Sequence, residues 1–218
     1  MSEDSSVSAD VTRSPDPPLP PDGYADPYAF SYPMAVLLVG SVALAVALSI
    51  VVVALLSLLH GPELFATLYD VTVDGDTTTY AMDLTVIVVP FLTALLVTVV
   101  GHEFVHGVVF RYYGYDVTYG AVPAMGAFYV AAFDQFQERN ELLRVCLAPL
   151  VLITAVCVPL LAVPIPIVSI TAAFVLILNT SGAIGDLYAT WRLQRMPRET
   201  LMYDVTIHRS YVYEPLEQ

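Results

Sequence analysis

The sequence predicts an all-α integral membrane protein of about four transmembrane helices, with a re-entrant or interfacial hairpin between the second and the third. Three observations carry this. Of 218 residues, 57% are hydrophobic and 13% charged, far too apolar for an ordinary soluble domain. The windows Met34 to Leu59, Leu84 to Phe110 and Leu142 to about Ala189 each exceed the roughly 18 to 20 apolar residues that cross hydrocarbon. The last window is long enough to cross twice, and Pro159, Pro164 and Pro166 divide it into two helices.

In chain order, residues 1–33 read as a disordered, acidic and Pro-rich cytoplasmic tail, because Pro15-Asp16-Pro17-Pro18-Leu19-Pro20-Pro21 and its neighbours offer no core. Tyr24, Tyr28 and Tyr32 lead into the first span as interfacial aromatics. His60-Gly61-Pro62 ends that span. Two β-branched runs around Asp74-Gly75 then predict a hairpin in the loop from Pro62 to Asp83. Between spans two and three, Tyr113 to Phe133 is apolar but interrupted by Gly114, Gly120, Pro123 and Gly126, too broken to cross. Its strand edge is one to which an extended peptide can add. The membrane domain is expected over 34–196, with 197–218 as a cytoplasmic C-terminal tail.

Arginines set the orientation. Arg111, Arg139 and Arg144 flank the second connection and Arg192, Arg195 and Arg198 follow the fourth span, whereas the other two loops have none. The positive-inside bias then predicts a multi-pass cell-membrane protein with both termini in the cytoplasm. The net charge of −13, with eight arginines and no lysine, disfavours a nucleic-acid partner, because no basic patch is present to neutralise phosphates.

The second span contains His102-Glu103-Phe104-Val105-His106, the spacing H-E-x-x-H. On a helix two histidines four apart share a face, so both imidazoles reach one metal ion with Glu103 beside them. Neutral imidazoles hold Zn²⁺ without cancelling its charge, an open position takes a water, and a neighbouring carboxylate can accept that water's proton. A third ligand must come from elsewhere at equal depth. His106 lies five residues, roughly 7 Å, from the cytoplasmic Arg111, and Asp186 lies six residues, about 9 Å, from Arg192 in a span running the same way. Asn179, Gly182 and Asp186 also fall at i, i+3 and i+7, one polar and small helix face. Asp186 is therefore the expected third ligand, and Asn179 a candidate for orienting substrate. His60 and His208 lie outside this site by the predicted topology.

In His102 to Gly107, the Ala148-Pro149 pair and the Asn179 to Asp186 stretch, the chain resembles a family of small four-span zincin peptidases related to site-2-protease-type membrane metallopeptidases, and within it the haloarchaeal members. That resemblance implies Zn²⁺ on His102, His106 and Asp186, Glu103 as catalytic base, and a membrane protein or peptide as substrate. Site-2 enzymes commonly carry leucine-aspartate-glycine at the third ligand, whereas Asp186 here stands between Gly185 and Leu187. The reading is thus an integral-membrane zinc metallopeptidase that cuts near the cytoplasmic face of the bilayer, its zinc-bound water activated by Glu103. Two alternatives are a gluzincin-type membrane protease with Glu138 or Glu141 as third ligand, and a non-enzymatic metal-binding or transport protein.

Overall fold

The computed structural model describes residues 16–122 and 127–216. Residues 1–15 of the expected tail, Pro123 and Gly126 of the expected hairpin, and the last two residues lie outside the described residues. In chain order the elements are β1 (Tyr28–Phe30), α1 (Met34–His60), α2 (Glu63–Ala66), β2 (Tyr69–Asp74), β3 (Thr77–Met82), α3 (Thr85–Tyr112), β4 (Thr118–Val122), β5 (Ala127–Ala131), β6 (Phe136–Glu138), α4 (Arg139–Leu160), α5 (Pro166–Gly182), α6 (Ile184–Leu193), β7 (Leu201–Thr206) and β8 (Arg209–Tyr213).

Helices α1, α3 and α4 are each long and apolar enough to cross a membrane, and α5 with α6 make a fourth if that bent pair is one span. The bundle is also turned inside out for water: Val36, Leu38, Val39, Val42 and Ile50 of α1 and Leu92, Leu96 and Phe104 of α3 are all exposed. Continuous apolar surface of this kind marks contact with a membrane or with other protein. Helix α5 is the hub, packed on by α1, α3 and α4. Its small residues Ala172 and Ala173 bring the neighbours close, so that Val52, Leu56, Ala94 and Cys157 share one core with it.

The helix ends follow the sequence signals. Gly61 closes α1 in the left-handed region (φ 68), and His60 Nε2 lies 2.7 Å from the Leu161 carbonyl, tying α1 to the end of α4. Pro166 opens α5 at its first turn, where a missing N–H costs nothing. The expected single helix through Asn179 and Asp186 is instead broken at Ala183, with a 43° bend. Gly182 and Gly185 bracket the break, and each glycine weakens a helix by about 1 kcal/mol relative to alanine. Ser41 Oγ of α1 donates to the Ser181 carbonyl at 2.8 Å beside the bend, where intrahelical bonding is interrupted.

The all-α expectation is corrected by three antiparallel sheets. The segment around Asp74-Gly75 forms the hairpin β2–β3, with Asp74 opposite Thr77 and Gly75 at φ 56; all its residues are exposed. The interrupted segment after α3 forms a second hairpin, β4–β5, with Tyr119 opposite Val130. A four-stranded sheet in the order β1-β8-β7-β6 joins residues from both ends of the chain to the start of α4. Residues 28–30, expected within a disordered tail, are thus a paired edge strand, because Phe30 buries its ring with Cys146, Leu193, Met202 and Val212. The Tyr28 hydroxyl also donates to Glu214 at 2.7 Å, and partial burial with that neighbour pushes its phenol up to about 12. The C-terminal segment supplies the two central strands, β7 and β8, and so closes one end of the helical bundle.

Candidate metal centre

The α3 geometry stacks His102 over His106 on one face, their rings 4.8 Å apart. The α5–α6 bend brings Asp186, in the first turn of α6, against them. His102 Nε2 lies 3.1 Å from Asp186 Oδ2, His106 Nε2 3.6 Å from the same oxygen, and the two Nε2 atoms are 3.1 Å apart. Three ligands at the zinc bond lengths of about 2.0–2.1 Å and tetrahedral angles stand about 3.3–3.4 Å from one another. These three atoms therefore form a triangle of the size of one face of a zinc tetrahedron, and they are the group of His, Cys, Asp and Glu donors among the described residues able to hold an ion.

The protons on the imidazoles make the fit sharper. His106 Nδ1 lies 3.0 Å from the Val145 carbonyl oxygen, which can only accept, so Nδ1 carries the proton and Nε2 keeps its lone pair. His102 Nδ1 is held in the same way by Asn179 Oδ1 at 3.0 Å. Two lone pairs and a carboxylate oxygen then converge, an arrangement that repels itself unless a cation lies among them. Anchoring the far nitrogen of a metal-binding histidine is also what fixes its ring and raises its basicity.

Why the Val145 carbonyl is available follows from the sequence. In a helix it would accept from the N–H four residues on, but that residue is Pro149, which has none and lies inside α4. The orphaned carbonyl turns to His106. The Ala148-Pro149 pair thus acts at the centre through a backbone oxygen, a role the sequence reading did not assign.

Glu103, half-buried, is placed beside this triangle by the helix, and its carboxylate accepts from the Val130 backbone N–H of β5. Two glycines shape and seat the hairpin that supplies it. A Cβ on Gly107 would run into the Tyr119 hydroxyl, so glycine there lets β4–β5 lie on α3, and a Cβ on Gly120 would run into the ring of its cross-strand partner Tyr129, so glycine there lets that ring cross the hairpin. Arg111 lies over the Tyr119 ring, 5.3 Å from its centroid, at the same contact.

Two clefts meet at Glu103. One, of about 450 Å³, is lined by Val100, Phe104, Tyr119, Tyr129 and Val130. The other, of about 300 Å³, is lined by Thr98, His102, Phe128, Leu178 and Asn179. In the second, Thr98 Oγ1 and Asn179 Nδ2 are buried without a hydrogen-bond partner, a costly state that a bound polar group would relieve.

The alternative ligands lie elsewhere. Glu141 Oε2 accepts from the Tyr115 hydroxyl at 2.6 Å, and the Glu138 N–H donates to the same hydroxyl oxygen at 3.0 Å. Burial and the Glu141 acceptor push the Tyr115 phenol above its ordinary value. His60, the last residue of α1, is bonded to the Leu161 carbonyl, and His208 is in the β7–β8 turn.

No curated protein and no solved structure matches the chain. A family model described as "Putative zincin peptidase" matches residues 95–201, from the middle of α3 to the first residue of β7. Over the stretch that carries His102, Glu103, His106, Asn179 and Asp186, the chain is similar to the zincin peptidases.

Proposed function

We propose that the protein is a membrane-embedded zinc metallopeptidase of the H-E-x-x-H type, with Zn²⁺ held by His102, His106 and Asp186. The observation that carries this reading is the zinc-sized triangle of Nε2, Nε2 and Oδ2 atoms with both histidine protons committed elsewhere. Bound there, zinc would polarise the scissile carbonyl and lower the pKa of water toward neutrality.

The chain's own residues supply the remainder. Glu103 accepts a proton from the attacking water as its oxygen bonds to the scissile carbon, and returns that proton to the amine nitrogen as the C–N bond breaks. Val130 holds the carboxylate in place. With the Val130 N–H turned to Glu103 and not to its partner Tyr119 on β4, and with backbone groups two apart in a strand pointing the same way, Phe128 shares that edge. An extended substrate segment added to this edge passes from one cleft to the other across Glu103. Asn179 Nδ2 and Thr98 Oγ1 face the second cleft as donors for its backbone. The substrate class is a membrane protein or membrane-inserted peptide, since the clefts are walled by lipid-facing α3.

We place both termini in the cytoplasm and the metal centre near that face. The arginine asymmetry supports this, as does the pairing of β1 with β8, which gathers both ends of the chain at the metal end of the bundle. Membrane-spanning reporter peptides incubated with the purified full chain in detergent should be cut, with cutting abolished by a chelator and absent from His106→Ala. Cutting that survives both treatments would sink the reading.

A further inference from the structure

A third cavity, of about 200 Å³, lies beyond the metal centre, between the four-stranded sheet and helices α4 and α6. It is larger than the roughly 150 Å³ apolar cavity that accommodates benzene. Its walls include the rings of Phe30, Tyr32, Tyr129 and Phe133. Among its described lining residues Asp204 is the single acidic side chain, and none is basic. The Asp204 carboxylate accepts from Gln137 Nε2 at 2.9 Å and from the Ser210 side chain. Burial pushes this carboxyl above the ordinary aspartate value, and those two donors only partly oppose the push.

The cavity shares walls with the metal centre on three elements. Cys146 lines it and follows Val145, whose carbonyl anchors His106. Val130 lines it and donates its N–H to Glu103. Ala189 lines it one turn after Asp186. A side chain projecting from a substrate strand on β5 therefore has this cavity within reach.

A carboxylate buried among aromatic faces is expensive to keep without a cation, and aromatic faces attract cations as well. We propose that this cavity receives a basic side chain, lysine or arginine, of the substrate beside the scissile bond, with Asp204 as its counter-charge. The proposal rests on the peptidase reading for the word substrate, but the cation-binding pocket itself does not need catalysis. The aliphatic stem packs against the rings and the charged head meets Asp204. A glutamate or aspartate at the same substrate position is rejected by like charge.

The test has two arms. In the first, the detergent-solubilised, zinc-loaded full chain is titrated calorimetrically with n-pentylammonium and with 1-pentanol, a neutral probe of similar length. The ammonium should bind at least ten-fold more tightly, and Asp204→Asn, which keeps an acceptor for Gln137, should remove the difference. Tyr32→Leu, a change in a half-exposed wall ring, should weaken ammonium binding several-fold and leave zinc content intact. Equal binding of the two probes to the wild type, or a preference that Asp204→Asn leaves untouched, overturns the pocket. In the second arm, reporters carrying lysine, leucine or glutamate at each residue flanking the cut are compared. A lysine preference at one position that Asp204→Asn erases supports the substrate assignment, and reporters cut with no such preference overturn it. Asp204-dependent ammonium binding in a protein that cuts no reporter keeps the cation pocket but sinks the peptidase reading.

Discussion

The chain contains two β-hairpins of nearly equal size, and only one is built into anything. Hairpin β2–β3 is exposed along both strands and touches little beyond the short α2. Hairpin β4–β5 lies on α3, with the Tyr119 hydroxyl over Gly107 and the Val130 N–H on Glu103. Their own residues explain little of this, since both are rich in tyrosine and β-branched or small residues. The difference is in the surface each one meets. Helix α3 offers β4–β5 a glycine one residue after His106, whereas the other hairpin has no such seat. The same contrast holds for the two ends of the bundle. One end gathers the four-stranded sheet, the His102–His106 pair and the buried Asn179 and Gln137, while the other has apolar helix ends and a solvated loop.

The largest effect should come from the residue where hairpin and helix meet. Glu103→Gln keeps the size and the bond to Val130 but cannot accept a proton, so zinc content should hold while turnover falls by about 10² to 10⁴, the range that acid–base catalysis supplies. A variant that cuts at the wild-type rate would remove Glu103 from the mechanism.

The two hairpins can next be tested against each other. Gly107→Ala pushes Tyr119 off α3, and since a misplacement of about 1 Å can cost about 10² in rate, cleavage should fall by roughly that factor with zinc retained. Replacing residues 70–81 of the other hairpin by a flexible linker should leave both cleavage and zinc unchanged. Equal damage from the two changes would show that the contrast has no functional content.

A smaller effect is expected where α4 supports the centre. Pro149→Ala restores an N–H that competes with His106 for the Val145 carbonyl, and loss of such an outer partner typically costs 10- to 100-fold in metal affinity or activity, so about that loss in zinc affinity is expected. Zinc titration against a competing chelator reads it. Unchanged affinity would mean that the carbonyl does not orient the imidazole.

The smallest effect concerns stability. Because burial raises the Asp204 carboxyl, the folded chain holds a proton that the unfolded chain has lost, and stability declines as pH rises from the ordinary aspartate value of about 3.9 through the raised one. Asp204→Asn removes this cost. The variant should melt at a higher temperature than wild type at neutral pH, with the gap closing as pH approaches 4. A gap that does not change with pH would assign the stabilisation to another cause.

How much of this is legible in the sequence depends on range. The H-E-x-x-H spacing is readable because helix geometry alone decides which residues share a face, and Asp186 follows from matching depths in two parallel spans. The four apolar segments and both hairpins carry local signals. The four-stranded sheet does not, since β1 and β6 are three residues each and pair only with strands from the far end of the chain. The bend at Ala183 is hinted at by Gly182 and Gly185 but needs the neighbouring helices to set its direction. Asn179, expected only as a substrate-orienting residue, is found bonded to His102, a contact that the helix-face pattern does not reveal. The Val145 carbonyl is invisible to any reading of side chains, and its one signal is the proline four residues on.

The triangle of His102, His106 and Asp186 is tested most directly by metal analysis of the purified full chain. Wild type and Glu141→Ala should each hold one zinc per chain, and Asp186→Ala should lose most of it. A wild-type chain without zinc, or an Asp186→Ala chain that keeps its zinc while Glu141→Ala loses it, would contradict the assignment.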